Sequence, residues 1–214
     1  MKYTVVAISG SYGELISETI KMFGCISEYS TLGADKGHAI LITYPWEYYD
    51  HVMTLHFITK IKGEYNNGNK ESFQNWIKFF YNPYDFNDPN DITVDDWANH
   101  VIDAYKHIGI HDVMNGVKSS LVKRLTNNLP YTEIKLHDII TDQRKVLFEL
   151  AKLLKTRLSV EINDFFHSKF NEYQLLINPY LQAINNRKLT YKTDNIYQYN
   201  YIHNLGYPGK YPTE

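Results

Sequence analysis

Five consecutive residues, Ser9-Gly10-Ser11-Tyr12-Gly13, have the composition of an anion cradle. Two glycines let a chain turn tightly and present its N–H groups, and two serine hydroxyls add further donors. Leu15, Ile16, Thr19, Ile20 and Phe23 follow at the spacing of one helical face. The five residues would therefore stand at a helix N-terminus, where unpaired N–H groups and the positive end of the helix dipole converge. A phosphate or sulfate group is the ligand that suits this chemistry. Glu14, at the mouth, is a candidate general base, with capping and neutralisation of the helix dipole as its other reading. His51 is a second candidate, as base or phosphate contact, because imidazole titrates near neutrality; its alternative is a partly buried, hydrogen-bonded helix histidine. An ordinary strand-to-helix turn would also account for the composition of the loop.

Other chemistries are excluded by spacing. No lysine follows the loop before Lys21, so it is not a G-x-x-x-x-G-K-[ST] phosphate loop, and a third glycine for the dinucleotide fingerprint is missing. His51 and His56 stand five apart rather than four, and neither H-E-x-x-H nor C-x-x-C occurs, so no metal is expected. A net charge of −2 supplies no polybasic surface, and nucleic acid is not an expected partner. Cys25, the single cysteine, cannot form an internal disulfide and fits a reducing compartment. No apolar run reaches the length of a membrane span, and the chain enters a strand at once without a separate signal peptide. A cytoplasmic protein with no membrane partner is expected.

The elements that must hold these residues follow from periodicity. Residues 3–8 and 39–43 are short apolar runs, as buried parallel strands are, and 131–136 reads as a third strand; each is followed by a helical pattern. The fold class expected is α/β: a small parallel sheet in three layers, flanked by helices, with those three strands as neighbours. A further short strand fits near Cys25-Ile26. Helices are expected over 14–23, 46–60 and 72–81, the last with Phe73, Trp76, Ile77 and Phe80 on one face. Thr93-Val-Asp-Asp96 resembles a capping box opening a helix that carries Trp97 and Val101. Further helices are expected over 111–127, from a cap at Thr141 or Asp142 to about 155, and over 160–177, where Pro179 closes or kinks the last. One domain, 1–184, would then precede an irregular tyrosine-rich tail, 185–214, lying on the body or partly mobile. Sites in open α/β sheets lie beyond the carboxyl ends of the strands, which favours Glu14, Thr43, Tyr44 and His51.

The order of these segments resembles the sulfotransferase family over residues 1–156. The strand, loop and helix of 3–23 take the place of the family's loop for the 5′-phosphosulfate end of its donor. Residues 40–57, ILITYPWEYYDHVMTLHF, are similar to its strand, R-N-P-x-[DE] and aromatic helix, and Glu71-Ser-Phe-Gln-Asn-Trp76 to its S-F-x-x-[FW]. Residues 134–154 are similar to its strand, Y-E-D-L-x-x-D-P and helix, and Asp96-Trp97-Ala-Asn-His100 to its W-x-x-H. The departures are specific. The arginine for the donor's 3′-phosphate falls on Thr43, the helix serine falls near His51, and the first loop has no Lys or Arg. The K-[ST]-H segment is shortened to Lys36-Gly37-His38, and Arg187-Lys188-Leu189 stands where R-K-G is expected.

The resemblance implies a P-loop NTPase-like, sulfotransferase-like fold and a divergent sulfotransferase. It would transfer a sulfuryl group from phosphoadenosine phosphosulfate to a hydroxyl or amine of a small-molecule or glycan acceptor. Ser9, Gly10, Ser11, Tyr12, Gly13 and Thr43 would bind the donor, Arg187 or Lys188 would replace the missing arginine, and Glu14 or His51 would act on the acceptor. Two alternatives stand beside it: a non-catalytic binding or assembly protein of the same fold, and a nucleotide or nucleoside kinase with a degenerate phosphate loop.

Overall fold

The structure is a computed structural model that describes residues 1–7, 9–44, 48–79, 88–107 and 126–194, the side chains of 72, 76–79, 103–107 and 188–194 excepted. Four strands, β1 (Lys2–Val6), β2 (Ile26–Ser30), β3 (His38–Thr43) and β4 (Tyr131–Lys135), form one sheet in the order β2-β1-β3-β4. All three pairings are parallel, with Val5 opposite Tyr29 and Ile40, and Ile42 opposite Ile134. The strands expected within 3–8, 39–43 and 131–136 therefore lie side by side, as β1, β3 and β4. The strand near Cys25-Ile26 exists, as an edge strand beyond β1.

Alternate residues divide the sheet into two faces. Tyr3, Val5, Ala7, Ile40, Ile42 and Ile134 join the main core with Leu15, Ile16 and Ile20 of α1 (Gly13–Met22). That core also takes Val52 and Leu55 of α2 (Tyr49–His56), and Leu136 and Ile139 of the short helix that follows β4. On the opposite face Val6, Ala39 and Leu41 are buried with Ala34, which belongs to the segment linking β2 to β3, and with Leu129. Among the described residues the helices contribute to the first face, so two of the three expected layers are described.

The aromatic helix expected over 46–60 begins, as described, at Tyr49, and it is not uniformly α-helical. A π-helical segment, Phe57–Lys62, follows α2, and α3 (Gly63–Asn66) continues it to the turn at Asn67-Gly68. Next come α4 (Lys70–Phe79) and α5 (Val94–His107). Phe57 and Trp97 stack with ring centroids 4.1 Å apart, and the Trp97 indole N–H donates to Thr54 Oγ1 at 2.9 Å, which anchors α5 on α2. The capping box opening α5 is complete. The Thr93 N–H donates to Asp96 Oδ2 at 3.0 Å and the Asp96 N–H to Thr93 Oγ1 at 3.1 Å. Thr93→Ala should lower stability by about 1 kcal/mol in denaturant melts, the usual worth of such a cap.

The short helix Leu136–Thr141 is α6, and α7 (Gln143–Leu153) follows, capped by Asp142, which accepts from the Lys145 N–H. The last helix corrects the sequence reading. Pro179 neither closes it nor marks a boundary: α8 runs over Val160–Asp194, so residues 185–194 are helical rather than the start of an irregular tail. Tertiary packing on both sides of Pro179, at Ile177 and Ile184, carries the helix through. The expected helix over 111–127 lies mostly outside the described residues, as do 195–214.

Candidate functional site

The chain leaves β1 towards β2 on one side of it and returns to β3 on the other. A doubly wound sheet opens a crevice at such a switch point, beyond the carboxyl ends of the strands. The loop after β1 stands there. Its φ angles alternate in sign, +91° at Gly10, negative at Ser11 and +63° at Tyr12, a pattern that turns successive N–H groups to one side. Tyr12 caps α1 in a left-handed conformation, and its carbonyl accepts the first helical bond, from Ile16 N–H at 3.0 Å. Among the described residues the N–H groups of Tyr12 and Gly13 donate to no main-chain carbonyl.

Neighbouring elements press closely on the loop. A Cβ on Gly10 would lie 2.1 Å from the Val52 carbonyl oxygen, so α2 and the loop touch backbone to backbone. A Cβ on Gly13 would lie 2.4 Å from the Tyr29 ring, which rests against the start of α1. The Tyr29 hydroxyl is hydrogen-bonded with Ser9, and burial pushes its pKa up to about 12, so it remains protonated.

A shallow cleft opens on this loop. Ser9, Gly10, Tyr12, Gly13 and Glu14 line it from the loop, facing Tyr29, Thr59 and Tyr173. Half-exposed Glu14 lies 3.6 Å from Lys60 Nζ, and Lys60 is also 3.3 Å from Glu64. Lys60, from the π-helical segment, is thus shared between two carboxylates.

Tyr12 is buried, its ring packed 5.3 Å from that of Phe170 and 5.7 Å from that of Tyr173. Its hydroxyl receives a 2.6 Å hydrogen bond from the Gln174 amide and lies 2.7 Å from His51 Nε2. With the Gln174 amide donating, a Tyr12 hydroxyl that donates in turn to His51 Nε2 satisfies both groups, and in that arrangement the imidazole proton sits on Nδ1. Burial pulls the pKa of His51 down to about 4, so the ring is neutral. The same burial raises the Tyr12 pKa well above its ordinary value.

The sequence candidates separate accordingly. Ser9, Gly10, Tyr12, Gly13 and Glu14 share the cleft wall, whereas Ser11 is fully buried. His51 is 8 % exposed and its Nε2 is taken by Tyr12, which matches the hydrogen-bonded helix histidine rather than a base open to substrate. Thr43, at the end of β3, donates to Glu133 at 2.6 Å. Lys135 stands directly opposite Thr43 in the ladder. Arg187 pairs with Asp95 and donates to Asn99, each at 2.8 Å. It lies thirteen residues beyond Gln174 on α8, about 20 Å along the helix, and is not brought to the loop. The Lys188 side chain lies outside the described residues.

Tyr29, Thr59, Lys60, Tyr173 and Gln174 escaped sequence reasoning. Gln174 is 162 positions from Tyr12, and no periodicity reports such a meeting. The available signal was Tyr12 itself, a large aromatic set among glycines and serines. No group of three or more His, Cys, Asp or Glu among the described residues is arranged to hold a metal, and no helix there is long and apolar enough to cross a membrane. Set against known protein families, curated proteins and solved structures, the chain matches none.

Proposed function

We propose that the chain binds a phosphate- or sulfate-bearing small molecule in the cleft at the β1–α1 loop, and that it is a divergent sulfotransferase-like protein. The observation that carries the binding half is the sign-alternating loop at the switch point of the sheet, with main-chain N–H groups beside an open cleft. The transferase half rests on the order of motifs along the chain.

The residues fit one end of phosphoadenosine phosphosulfate better than the other. Main-chain donors at Tyr12 and Gly13 suit a sulfuryl or phosphoryl group. When bound, the donor would supply an electrophilic sulfur and a phosphate leaving group. Glu14, half-exposed on the cleft wall, would take the proton of a hydroxyl or amine acceptor as that atom attacks, and Lys60 would offset the carboxylate's repulsion of the anion. For the 3′-phosphate, Lys135 beside Thr43 is a better-placed cation than Arg187, which is held by Asp95 and Asn99.

Thermal melts with adenosine 3′,5′-bisphosphate and with adenosine 5′-monophosphate test this reading. The bisphosphate should stabilise by about 2.7 kcal/mol at a hundred times its dissociation constant, and the monophosphate by less. Lys135→Ala should remove the difference between them and Arg187→Ala should not. No shift with either nucleotide at millimolar concentration would end the transferase reading. The second reading, a non-catalytic anion-binding protein, is favoured by the engagement of Thr43 with Glu133, and predicts binding of inorganic pyrophosphate with no preference between the two nucleotides.

A further inference from the structure

Tyr12 combines features that an unstrained core would avoid. It is a bulky residue at φ +63°, 3 % exposed, at the one position where the loop becomes α1. A left-handed conformation at a non-glycine residue costs on the order of 1 kcal/mol or more and persists only where the surroundings over-determine it. Those surroundings are specific. The ring is held between Phe170 and Tyr173 of α8, and the hydroxyl is held from one side by Gln174 of α8 and from the other by His51 of α2. Two elements far apart in sequence therefore converge on a single hydroxyl. Without its two bonds the buried hydroxyl would be left unsatisfied, and the left-handed backbone would lose what holds it.

The same residue is a wall of the cleft, and the residue beside Gln174 on α8, Tyr173, is another. The backbone angle that the hydroxyl network fixes is the last of the three that turn the loop's N–H groups to one side. A relaxed Tyr12 would rotate the Tyr12 and Gly13 N–H groups apart, while the sheet and α1 could remain folded.

We propose that Gln174 and His51 are positioning residues for the cleft: by holding the Tyr12 hydroxyl from two sides they preset the loop to receive an anion. This rests on the reading of the loop as an anion site. Neither side chain needs to touch the ligand. Their contribution is preorganisation, and its loss appears as weaker binding by a protein that is still folded.

Pyrophosphate titration by calorimetry, on the full chain and on variants whose fold is checked by circular dichroism, tests the proposal. Tyr12→Phe keeps the ring and removes only the hydroxyl; Gln174→Leu removes the donor. Each should weaken pyrophosphate binding at least about tenfold. His51→Leu should do the same, and His51→Gln, whose carbonyl can accept from Tyr12, should restore most of the affinity. Ile184→Val, in the separate cluster around Trp97, is the control for lost stability alone and should leave affinity unchanged. If wild type binds and Tyr12→Phe and Gln174→Leu bind within twofold of it, the positioning role is wrong and the anion site stands. Equal weakening by Ile184→Val would assign the effect to stability and likewise overturn it. If wild type itself binds no pyrophosphate, the anion site falls and the positioning role falls with it.

Discussion

Gly10→Ala should lower stability by at least about 4 kcal/mol. Two independent costs meet at this residue. Its φ of +91° is one that L side chains rarely adopt, and a Cβ would lie 2.1 Å from the Val52 carbonyl oxygen and 2.8 Å from the His56 nitrogen. Both contacts are backbone atoms of one helix, so no side chain can swing aside; α2 would have to retreat from the sheet. Retreat would break the contacts of Val52 and Leu55 with the main core. Gly24 is the control. It too has positive φ, +79°, but nothing lies within 4 Å of a Cβ there, so Gly24→Ala should cost only about 1 kcal/mol. Urea melts of the two variants measure the difference, which is the cost of the close approach of loop and helix. Similar losses in both would mean that α2 does not press on the loop.

Acidification should destabilise the protein between pH 6.5 and pH 4, and His51 should account for the largest identified share. Burial holds its folded-state pKa near 4, against 6.5 in the unfolded chain. Between those values the unfolded chain binds the proton and the folded one does not, so stability is complete above pH 6.5 and falls as the pH drops towards 4. At about 1.4 kcal/mol per pH unit, the interval corresponds to about 3 kcal/mol. Burial lowers the pKa of His38 and His56 as well, and both act in the same direction. His51→Gln keeps an acceptor for Tyr12 and removes the titration, so its stability should change less over this range by about 3 kcal/mol. A pH profile parallel to that of wild type would show that His51 is solvated or already charged.

The parts of the molecule that periodicity controls were legible in the sequence. Val5 and Ile40 belong to apolar runs because strands buried on both faces need no alternation, whereas Ile134 is the buried position of an edge strand whose other residues are polar or exposed. Thr93 and Asp96 announced their helix because capping is chemistry between residues three apart. Pro179 does not close its helix, for a physical reason. Loss of one helical hydrogen bond is a local cost, and the packing of Ile177 and Ile184 on either side outweighs it. The loop at Ser9–Gly13 was visible as composition, but its geometry depends on Gln174 and Tyr29, which only folding brings to it. Lys60 was hidden for a similar reason: only folding brings the segment after α2 to Glu14. His51 stood out as a histidine near a strand end, where spacing cannot separate a base from a buried acceptor; the 2.7 Å contact to Tyr12 does.

The central claim is that the N–H groups of Tyr12 and Gly13 receive an anion, and it is tested most directly by following backbone amide resonances while pyrophosphate is added. Saturable shifts should centre on Tyr12, Gly13 and Glu14, with smaller shifts at Tyr29, Thr59 and Tyr173 across the cleft. Shifts that saturate elsewhere, or none at Tyr12 and Gly13 at millimolar pyrophosphate, would contradict it.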